Sequence, residues 1–196
     1  MVQKESKKAL IVGLTGNIGS GKTAVLNEFE KLGIKTLNSD YLVGKAYKQK
    51  NAIKKLEKNF GTAKRKKIAK IVLNSKKKLK ILEKIIQPIV LNELNRKIGN
   101  FRKKKSNAGK VLIIEVPLLF ELKLQKLFWK IIVVYASKST RIARMKNRGY
   151  SKREFMALES NQIPLWKKIK SAHITIDNGM DFFETKKQVE NIAKKF

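Results

Sequence analysis

Five short runs along the chain predict β-strands. They are residues 9–14, 34–37, 111–114, 131–135 and 174–176. The first run is apolar without alternation, which is typical of a strand buried in a parallel sheet. Residues 22–32, about 139–147, two stretches broken at Pro164, and the chain from Asp181 onward suit helices. Because strand and helix alternate at both ends of the chain, we predict an α/β fold of three layers with a doubly wound, five-stranded parallel sheet.

Between residues 45 and 110 the pattern changes to amphipathic helices with lysine-rich polar faces. Apolar residues recur there at helical spacing in three groups, which cover residues 68–72, 79–86 and 89–98. The stretch carries 23 Lys and Arg against three Glu, so about two-thirds of the net charge lies in a third of the chain. We therefore predict one chain whose core comprises residues 1–44 and 108–196, with a basic helical insertion at residues 45–107.

Composition limits the chemistry that the chain can perform. Hydrophobic residues make up 42% of the 196 residues, enough for a domain with a proper core. Having no cysteine and one histidine, the chain has no disulfide, cysteine-ligated metal, thiol nucleophile or multi-histidine metal site. No apolar run approaches the roughly 18 residues that span a bilayer, and residues 9–14 are too few for the apolar part of a signal peptide. We expect a cytoplasmic protein with no membrane partner.

The formal net charge of +31 bears on possible partners, and 39 of the 46 basic residues are lysine. Such a surface attracts polyanions non-specifically. Surfaces that bind nucleic acid as their main ligand mix arginine and aromatic residues into their contacts. The basic runs 64–67, 76–80 and 102–105 contain neither Trp nor Tyr. A lysine-biased composition and a multiply charged phosphate substrate also explain the charge, so we expect no specific nucleic-acid ligand.

Residues 16–23, Gly-Asn-Ile-Gly-Ser-Gly-Lys-Thr, match the phosphate-binding pattern G-x-x-x-x-G-K-[ST] in full. They lie between a predicted strand and a predicted helix, the context that such a loop needs. The glycines let backbone N–H groups turn inward around phosphate oxygens, while Lys22 can bridge the β- and γ-phosphates and the Thr23 hydroxyl can ligate Mg²⁺. We assign ATP binding to Gly16, Asn17, Ile18, Gly19, Ser20, Gly21, Lys22, Thr23 and Ala24.

This loop identifies a phosphate donor but not a reaction. A GTPase would show an Asn-Lys-x-Asp segment, which the sequence lacks. A helicase needs a longer chain with an Asp-Glu pair after the third strand, where residues 113–117 read Ile-Ile-Glu-Val-Pro. A short chain with a helical insertion after strand two favours a kinase of nucleotide-sized substrates, whose insertion closes over the acceptor. The alternative is a nucleoside triphosphatase whose basic insertion binds nucleic acid.

Two carboxylates follow predicted strands. Asp40, one of only three aspartates, comes just after the second strand, at the carboxyl edge where ligands of such sheets bind. A carboxylate there can accept the proton of an attacking hydroxyl, and it can also cap the following helix. Glu115 ends the third strand, where it either orients a magnesium-bound water or pairs with neighbouring lysines.

Several segments resemble the dephospho-coenzyme A kinases. Residues 13–23 resemble the opening of that family, and Asn38-Ser39-Asp40 takes the place of its Asp-Ala-Asp. Residues 116–121, Val-Pro-Leu-Leu-Phe-Glu, look like its Pro-Leu-Leu-Phe-Glu, and residues 144–149, Arg-Met-Lys-Asn-Arg-Gly, are similar to its paired-arginine helix end. Residues 161–162 and 176–178 fall where the family has Ala-Gln and Ile-Asp-Asn. The resemblance runs from about residue 9 to residue 192.

The resemblance implies a P-loop kinase fold with a helical coenzyme A-binding region and a lid at about residues 139–165. It also implies ATP- and Mg²⁺-dependent phosphorylation of the ribose 3′-hydroxyl of dephospho-coenzyme A, the last step of coenzyme A synthesis. Carried over by position, Asp40 would be the base, and Arg144 and Arg148 would join Lys22 of the loop on the transferred phosphates. The acceptor would meet Asp40, Gln87, Pro117 and Leu118, while the candidates for Mg²⁺ stay Thr23 of the loop and Glu115. Gln87 stands where the family commonly has His, and Asn38 replaces an Asp. We expect a monomer or a weak oligomer.

Other side chains have competing interpretations. Arg141, Arg144 and Arg148 follow one side of a helix. Arginine on a lysine-rich chain suggests bidentate phosphate contacts for the latter two, whereas we expect Arg141 on a solvated face. Glu121 is expected to orient a wall of the site, His173 to be structural, and Trp129 and Trp166 to anchor the core or an interface.

Overall fold

The computed structural model describes residues 8–73 and 75–196. The chain divides into two units. The sheet unit comprises the described residues up to Asn38 together with Gly99–Phe196, and the helical unit comprises Ser39–Ile98. The phosphate-binding pattern therefore belongs to the sheet unit, and Asp40 belongs to the helical unit.

Five strands form the sheet, in the order β2-β3-β1-β4-β5. They are β1 (Leu10–Thr15), β2 (Lys35–Asn38), β3 (Val111–Glu115), β4 (Lys130–Tyr135) and β5 (Ile174–Asp177). Each of these pairings is parallel, which confirms the predicted α/β fold with a five-stranded parallel sheet. The strand order reverses at β1, and ligands of open α/β sheets bind outside the carboxyl ends of the strands at such a reversal.

Helices flank this sheet and make up the helical unit. The described part of the sheet unit contains α1 (Lys22–Lys31), α6 (Lys138–Asn147), α7 (Lys152–Glu159), α8 (Leu165–Lys170) and α9 (Phe182–Ala193). The helical unit contains α2 (Ser39–Ala46), α3 (Lys50–Phe60), α4 (Arg65–Leu73) and most of α5 (Lys76–Lys103). Short 3₁₀ turns cover Lys105–Asn107 and Gln125–Leu127. Side-chain caps explain where three helices begin: Ser137 caps α6, Ser151 forms a capping box with Glu154 on α7, and Asp181 caps α9.

The core of the sheet unit lies between the sheet and helices α1 and α9. Val12, Leu14, Phe29, Ile113 and Val134 are among its buried side chains. Ile11, Ile114 and Val133, which alternate with these residues along the strands, are also buried. Both faces of the sheet are therefore covered, as strands that are apolar without alternation require. Trp129 and Trp166 are 44% and 63% exposed, so of the two predicted roles the core anchor is wrong and the interface anchor stays a prediction.

The helical unit has its own smaller core, formed by residues such as Leu56, Phe60, Ile68 and Ile86. Two of the three predicted apolar groups, residues 79–86 and 89–98, lie on one helix, because α5 continues through Pro88. Proline lacks an N–H, so the carbonyl four residues earlier loses its helical donor, yet the helix does not end. Although α5 has 28 residues, neither it nor another described helix is long and apolar enough to cross a membrane.

Candidate active site

The phosphate-binding pattern forms the connection between β1 and α1. β1 ends at Thr15, and α1 begins at Lys22, directly after Gly21. Gly21 has a left-handed backbone conformation with φ 86°, and no side chain caps the helix. The first N–H groups of α1 therefore remain as donors at the positive end of the helix dipole, which is what a phosphate group requires.

The second half of this loop is fixed by a contact from the end of β5. The Ser20 carbonyl accepts hydrogen bonds from Asn178 Nδ2 at 2.8 Å and from Arg144 Nη1 at 3.4 Å. Asn178 is 3% exposed, and its Oδ1 accepts a hydrogen bond from the Thr185 hydroxyl at 3.0 Å. A Cβ on residue 21 would collide with Asn178 Nδ2. Glycine is thus required at this position by the backbone conformation and by the close approach of the Asn178 amide.

The first half of the loop is held by the connection between α7 and α8. The Ile18 N–H donates to Gln162 Oε1 at 2.9 Å, and Asn17 Nδ2 donates to the Ile163 carbonyl at 3.4 Å. The Ile18 carbonyl accepts from Arg141 Nη1 at 3.3 Å. Each half of the loop is therefore bonded to a segment more than a hundred residues away in sequence.

The Lys22 side chain folds back over the loop, where its Nζ donates to the Asn17 carbonyl at 3.3 Å. This contact places the ammonium group against the backbone of the loop. A cation in that position can interact with the negative charge that develops on transferred phosphate oxygens.

Oxygen donors suited to magnesium meet at the ends of β2 and β3. The Thr23 hydroxyl donates to Glu115, at 3.1 Å from Oε2 and 3.3 Å from Oε1. Glu115 Oε2 also accepts from Asn38 Nδ2 at 3.1 Å, and Glu115 is 3% exposed. Hard oxygen ligands of this kind are what Mg²⁺ takes in nucleotide sites, so the residues present fit the ion. An aspartate in place of Asn38 would bring a second carboxylate against Glu115, whereas the amide of Asn38 donates to it.

The three arginines of α6 have different surroundings. The prediction that Arg141 lies on a solvated face is wrong: it is 4% exposed, pairs with Glu159 at 2.6 Å, and donates to the Ala136 carbonyl at 3.3 Å. Arg144 is half-buried and donates to the Asn178 carbonyl at 2.7 Å as well as to Ser20. Arg148 is exposed at the C-cap of α6. Spacing along a helix places side chains on one side but does not determine what that side packs against.

The turn after β3 is tied to the central strand. The Val116 N–H donates to the Leu14 carbonyl at 2.9 Å, and the Thr15 hydroxyl donates to the Pro117 carbonyl at 3.3 Å. Leu118 follows, half-buried. This turn also carries Glu121, whose Oε1 accepts from the Ile163 N–H at 2.9 Å, so Glu121 orients a neighbouring segment, as expected.

Two predicted residues belong to the helical unit. Asp40 lies in the first turn of α2 and forms an ion pair with Arg65 at 3.2 Å, with both side chains more than half exposed. Gln87 is half-buried on α5, directly before Pro88. Asp40 follows the last residue of β2 by two positions along the chain.

A cavity of about 550 Å³ opens beside the carboxyl ends of β4 and β5. Burial raises the pKa of Tyr135, and the neighbouring Asp177 carboxylate raises it further, so the phenol stays neutral. The cavity is lined by residues that include Tyr135, Ser137, Lys138, Leu165, Asp177 and Met180. Such a mixture of apolar surface and a few polar groups suits a planar base.

Sequence reasoning gave no role to Gln162 and Asn178, the side chains that bond to the loop. Both occur in segments quoted for the family resemblance, and that was the available signal. Their contacts with Ile18 and Ser20 join positions 144 and 158 residues apart. A local sequence pattern cannot predict contacts between positions so far apart.

The sheet order, the loop between β1 and α1, and the Thr23–Glu115 pair define a P-loop kinase. The sequence matches the family described as Dephospho-CoA kinase over residues 10–183. The chain belongs to the dephospho-CoA kinase family, and family members are ATP-dependent phosphotransferases.

Individual relatives agree with this assignment. The chain is 33% identical over 197 residues to a dephospho-CoA kinase of Bacillus thuringiensis subsp. konkukian, with 95% of this chain and 97% of that protein covered. It is 34% identical to one of Carboxydothermus hydrogenoformans, covering 95% and 94%. Among solved structures, TT1252 from Thermus thermophilus superposes with a TM-score of 0.77 at 27% identity, covering 97% of this chain and 99% of that one. A shikimate kinase from Acinetobacter baumannii shares the fold, with a TM-score of 0.53 at 20% identity over 98% and 95% of the two chains.

Proposed function

We propose that the protein transfers the γ-phosphoryl group of ATP to the ribose 3′-hydroxyl of dephospho-coenzyme A, giving coenzyme A and ADP. The family match over residues 10–183 carries this proposal. The geometry of the loop supports it, because the helix dipole, Lys22 and the Thr23–Glu115 pair lie together at the carboxyl end of β1. Phosphoryl transfer depends mainly on such positioning and charge stabilisation.

ATP is the donor in this proposal, with its phosphates on residues 16–24. The N–H groups of the loop and of the first turn of α1 bind the phosphate oxygens. The base enters the cavity beside β4 and β5, where Tyr135 and Asp177 offer polar atoms and Leu165 and Met180 offer apolar surface.

Thr23 and Glu115 are the residues that would hold Mg²⁺. The Thr23 hydroxyl would be a ligand of the ion, and Glu115 would accept hydrogen bonds from water bound to it. When bound, the ion supplies positive charge that offsets the charge of the phosphates. The hydrogen bond between the two side chains, 3.1 Å long, keeps both oxygens at this place.

Asp40 is the general base in this proposal. Its carboxylate accepts the proton of the 3′-hydroxyl, the 3′-oxygen forms a bond to the γ-phosphorus, and the bond from that phosphorus to the β,γ-bridging oxygen breaks, so ADP leaves. Arg65 pairs with Asp40 at 3.2 Å within the helical unit. Gln87, Pro117 and Leu118 contact the acceptor.

Arg144 and Arg148 serve the transferred phosphate in different ways. Arg144 is half-buried against Ser20 and Asn178, so its guanidinium contributes a fixed positive charge beside the loop. Arg148 is exposed at the C-cap of α6, so its guanidinium would meet the phosphate when the lid, residues 139–165, closes.

The test is the release of ADP by the purified protein with ATP and Mg²⁺, with and without dephospho-coenzyme A. We expect ADP release that requires the acceptor. Mass spectrometry should show one added phosphate on the product, and a 3′-specific phosphatase should remove it. ADP release stimulated only by DNA or RNA would instead support a nucleic-acid-binding triphosphatase. Non-specific binding of polyanions, a monomeric or weakly oligomeric state and a cytoplasmic location remain predictions.

A further inference from the structure

A buried ion pair lies behind the first half of the loop. Lys168, on the six-residue helix α8, is 0% exposed, and its Nζ lies 2.8 Å from Glu121 Oε1. Burial lowers the pKa of Lys168, and Glu121 opposes that shift. Removing one partner of such a pair leaves an uncompensated buried charge, which is strongly unfavourable. The pair therefore fixes the position of the Glu121 carboxylate and of the backbone that is hydrogen-bonded to it.

The pair is bonded to the segment that holds the loop. Glu121 Oε1, the atom nearest to Lys168, also accepts the Ile163 N–H at 2.9 Å. The Ile163 carbonyl accepts from Asn17 Nδ2 at 3.4 Å. The side chain of the preceding residue, Gln162, accepts the Ile18 N–H at 2.9 Å. Consecutive contacts thus lead from Lys168 to Asn17 and Ile18.

Residues 160–164 have no regular secondary structure that would fix them by itself. The backbone bonds of Asn161 and Gln162 are short-range turns back to α7, and Ile163 is fixed through Glu121. A short connection of this kind adopts one conformation only where tertiary contacts impose it. The position of Gln162 relative to Ile18 consequently depends on Glu121, and Glu121 is held by Lys168.

We propose that Lys168 and Glu121 are positioning residues that set the conformation of the Asn17–Ile18 half of the phosphate-binding loop, and with it the affinity for the nucleoside triphosphate. This inference rests on the proposed function for its nucleotide. The proposed role of Lys168 and Glu121 requires no direct contact with the nucleotide. They act through Gln162 and Ile163.

The first test compares Lys168→Met with Lys170→Met, which changes an exposed lysine on the same helix. We expect Lys168→Met to raise the KM for ATP roughly tenfold or more, because misplacing a positioning group by about 1 Å can cost on the order of 10²-fold. The KM for dephospho-coenzyme A should stay near the wild-type value. Assays are run well below the melting midpoint of each variant, so that loss of folded protein does not contribute.

The second test asks whether the pair acts through charge. Glu121→Gln keeps an acceptor for the Ile163 N–H but leaves Lys168 without its counter-ion. Combined with Lys168→Met, it removes both charges, and replacing a buried ion pair by neutral groups is often close to neutral. The double variant should therefore recover ATP affinity to within about threefold of wild type, since no unpaired buried charge remains.

A third variant separates loop position from stability. Gln162→Ala removes the acceptor of the Ile18 N–H at a half-buried site. It should raise the KM for ATP in the same direction as Lys168→Met, with a melting midpoint close to wild type. Binding of a non-hydrolysable ATP analogue, measured by titration calorimetry, should weaken in parallel.

Several results would overturn the inference. One is a Lys168→Met protein that melts earlier yet binds the analogue within twofold of wild type, which would make the pair merely structural. Another is a Gln162→Ala protein with unchanged affinity. If Lys168→Met does not fold, Glu121→Gln and the double variant supply the same comparison. A wild-type protein that binds the analogue but does not phosphorylate dephospho-coenzyme A would refute the proposed function and leave this comparison intact.

Discussion

Replacing Gly21 by alanine tests the close fit between the loop and the end of β5. The residue has φ 86°, and an added Cβ would collide with Asn178 Nδ2, the atom that donates to the Ser20 carbonyl at 2.8 Å. Gly33, which ends the turn after α1, offers a matched control. It has φ 79°, and a Cβ there would meet nothing within 4 Å.

Both substitutions force alanine into a left-handed conformation, but only Gly21→Ala also displaces the Asn178 side chain. A left-handed conformation costs a non-glycine residue about 1–2 kcal/mol, part of which is offset because alanine restricts the unfolded chain. We expect Gly33→Ala to lower the free energy of unfolding by about 1 kcal/mol for this reason. Gly21→Ala also displaces the buried Asn178 amide, and leaving such a group without its partner costs about 1–3 kcal/mol. The total at Gly21 is then about 3 kcal/mol.

These values are checked by thermal unfolding with and without ATP. At about 2–4 °C per kcal/mol for a chain of this size, the midpoint should fall by roughly 6–12 °C for Gly21→Ala and by about 2–4 °C for Gly33→Ala. A ligand stabilises in proportion to its affinity, so the rise in midpoint on adding ATP should shrink only for Gly21→Ala. Equal losses for the two variants, with ATP stabilisation retained, would refute the collision with Asn178.

Further predictions concern catalysis and pH. Asp40→Asn should lower kcat by roughly 10²–10⁴-fold with unchanged ATP affinity if Asp40 is the base; near-normal steady-state turnover would remove it from that role. Lys22→Ala should lower kcat on the order of 10²-fold or more, measured by ADP release, whereas Thr23→Ala should regain activity as Mg²⁺ is raised, because water can replace one ligand. The pKa of Lys168 is lowered in the folded protein, so the unfolded chain binds more protons between that value and the ordinary lysine pKa. The free energy of unfolding should therefore rise with pH in that window, and denaturant titrations of Lys168→Met should lack this contribution.

The parts of the fold that local sequence patterns encode were predictable. Apolar strands of a parallel sheet and a glycine-rich loop before a helix need only neighbouring residues to be recognised, so β1, the loop and α1 followed from residues 9–32. The loop chemistry of Lys22 and Thr23 followed in the same way, because the motif contains the residues that meet the phosphates.

What the sequence did not reveal depends on contacts between distant segments. Arg141 looked like its neighbours on a polar helix, and its burial against Glu159 arises from the packing of α7 on α6. Lys168 is one of 39 lysines, and only its counter-ion Glu121, 47 positions earlier, distinguishes it. A continuous α5 was also missed, because proline ordinarily ends a helix, and the helix here continues past Pro88.

The strand order has a consequence for synthesis on the ribosome. β1 is made first but lies in the centre of the sheet, and both of its neighbours, β3 and β4, begin at least 95 residues later in the chain. At about 5–20 residues per second, translation from β1 to the start of β3 takes roughly 5–20 s. During that interval the apolar residues 11–14 have no partner strand, while α3 and α4 can form from contacts close in sequence, which assemble quickly. The nascent chain therefore exposes an apolar strand of the sheet for several seconds, and this strand offers a binding site to chaperones until β3 is made.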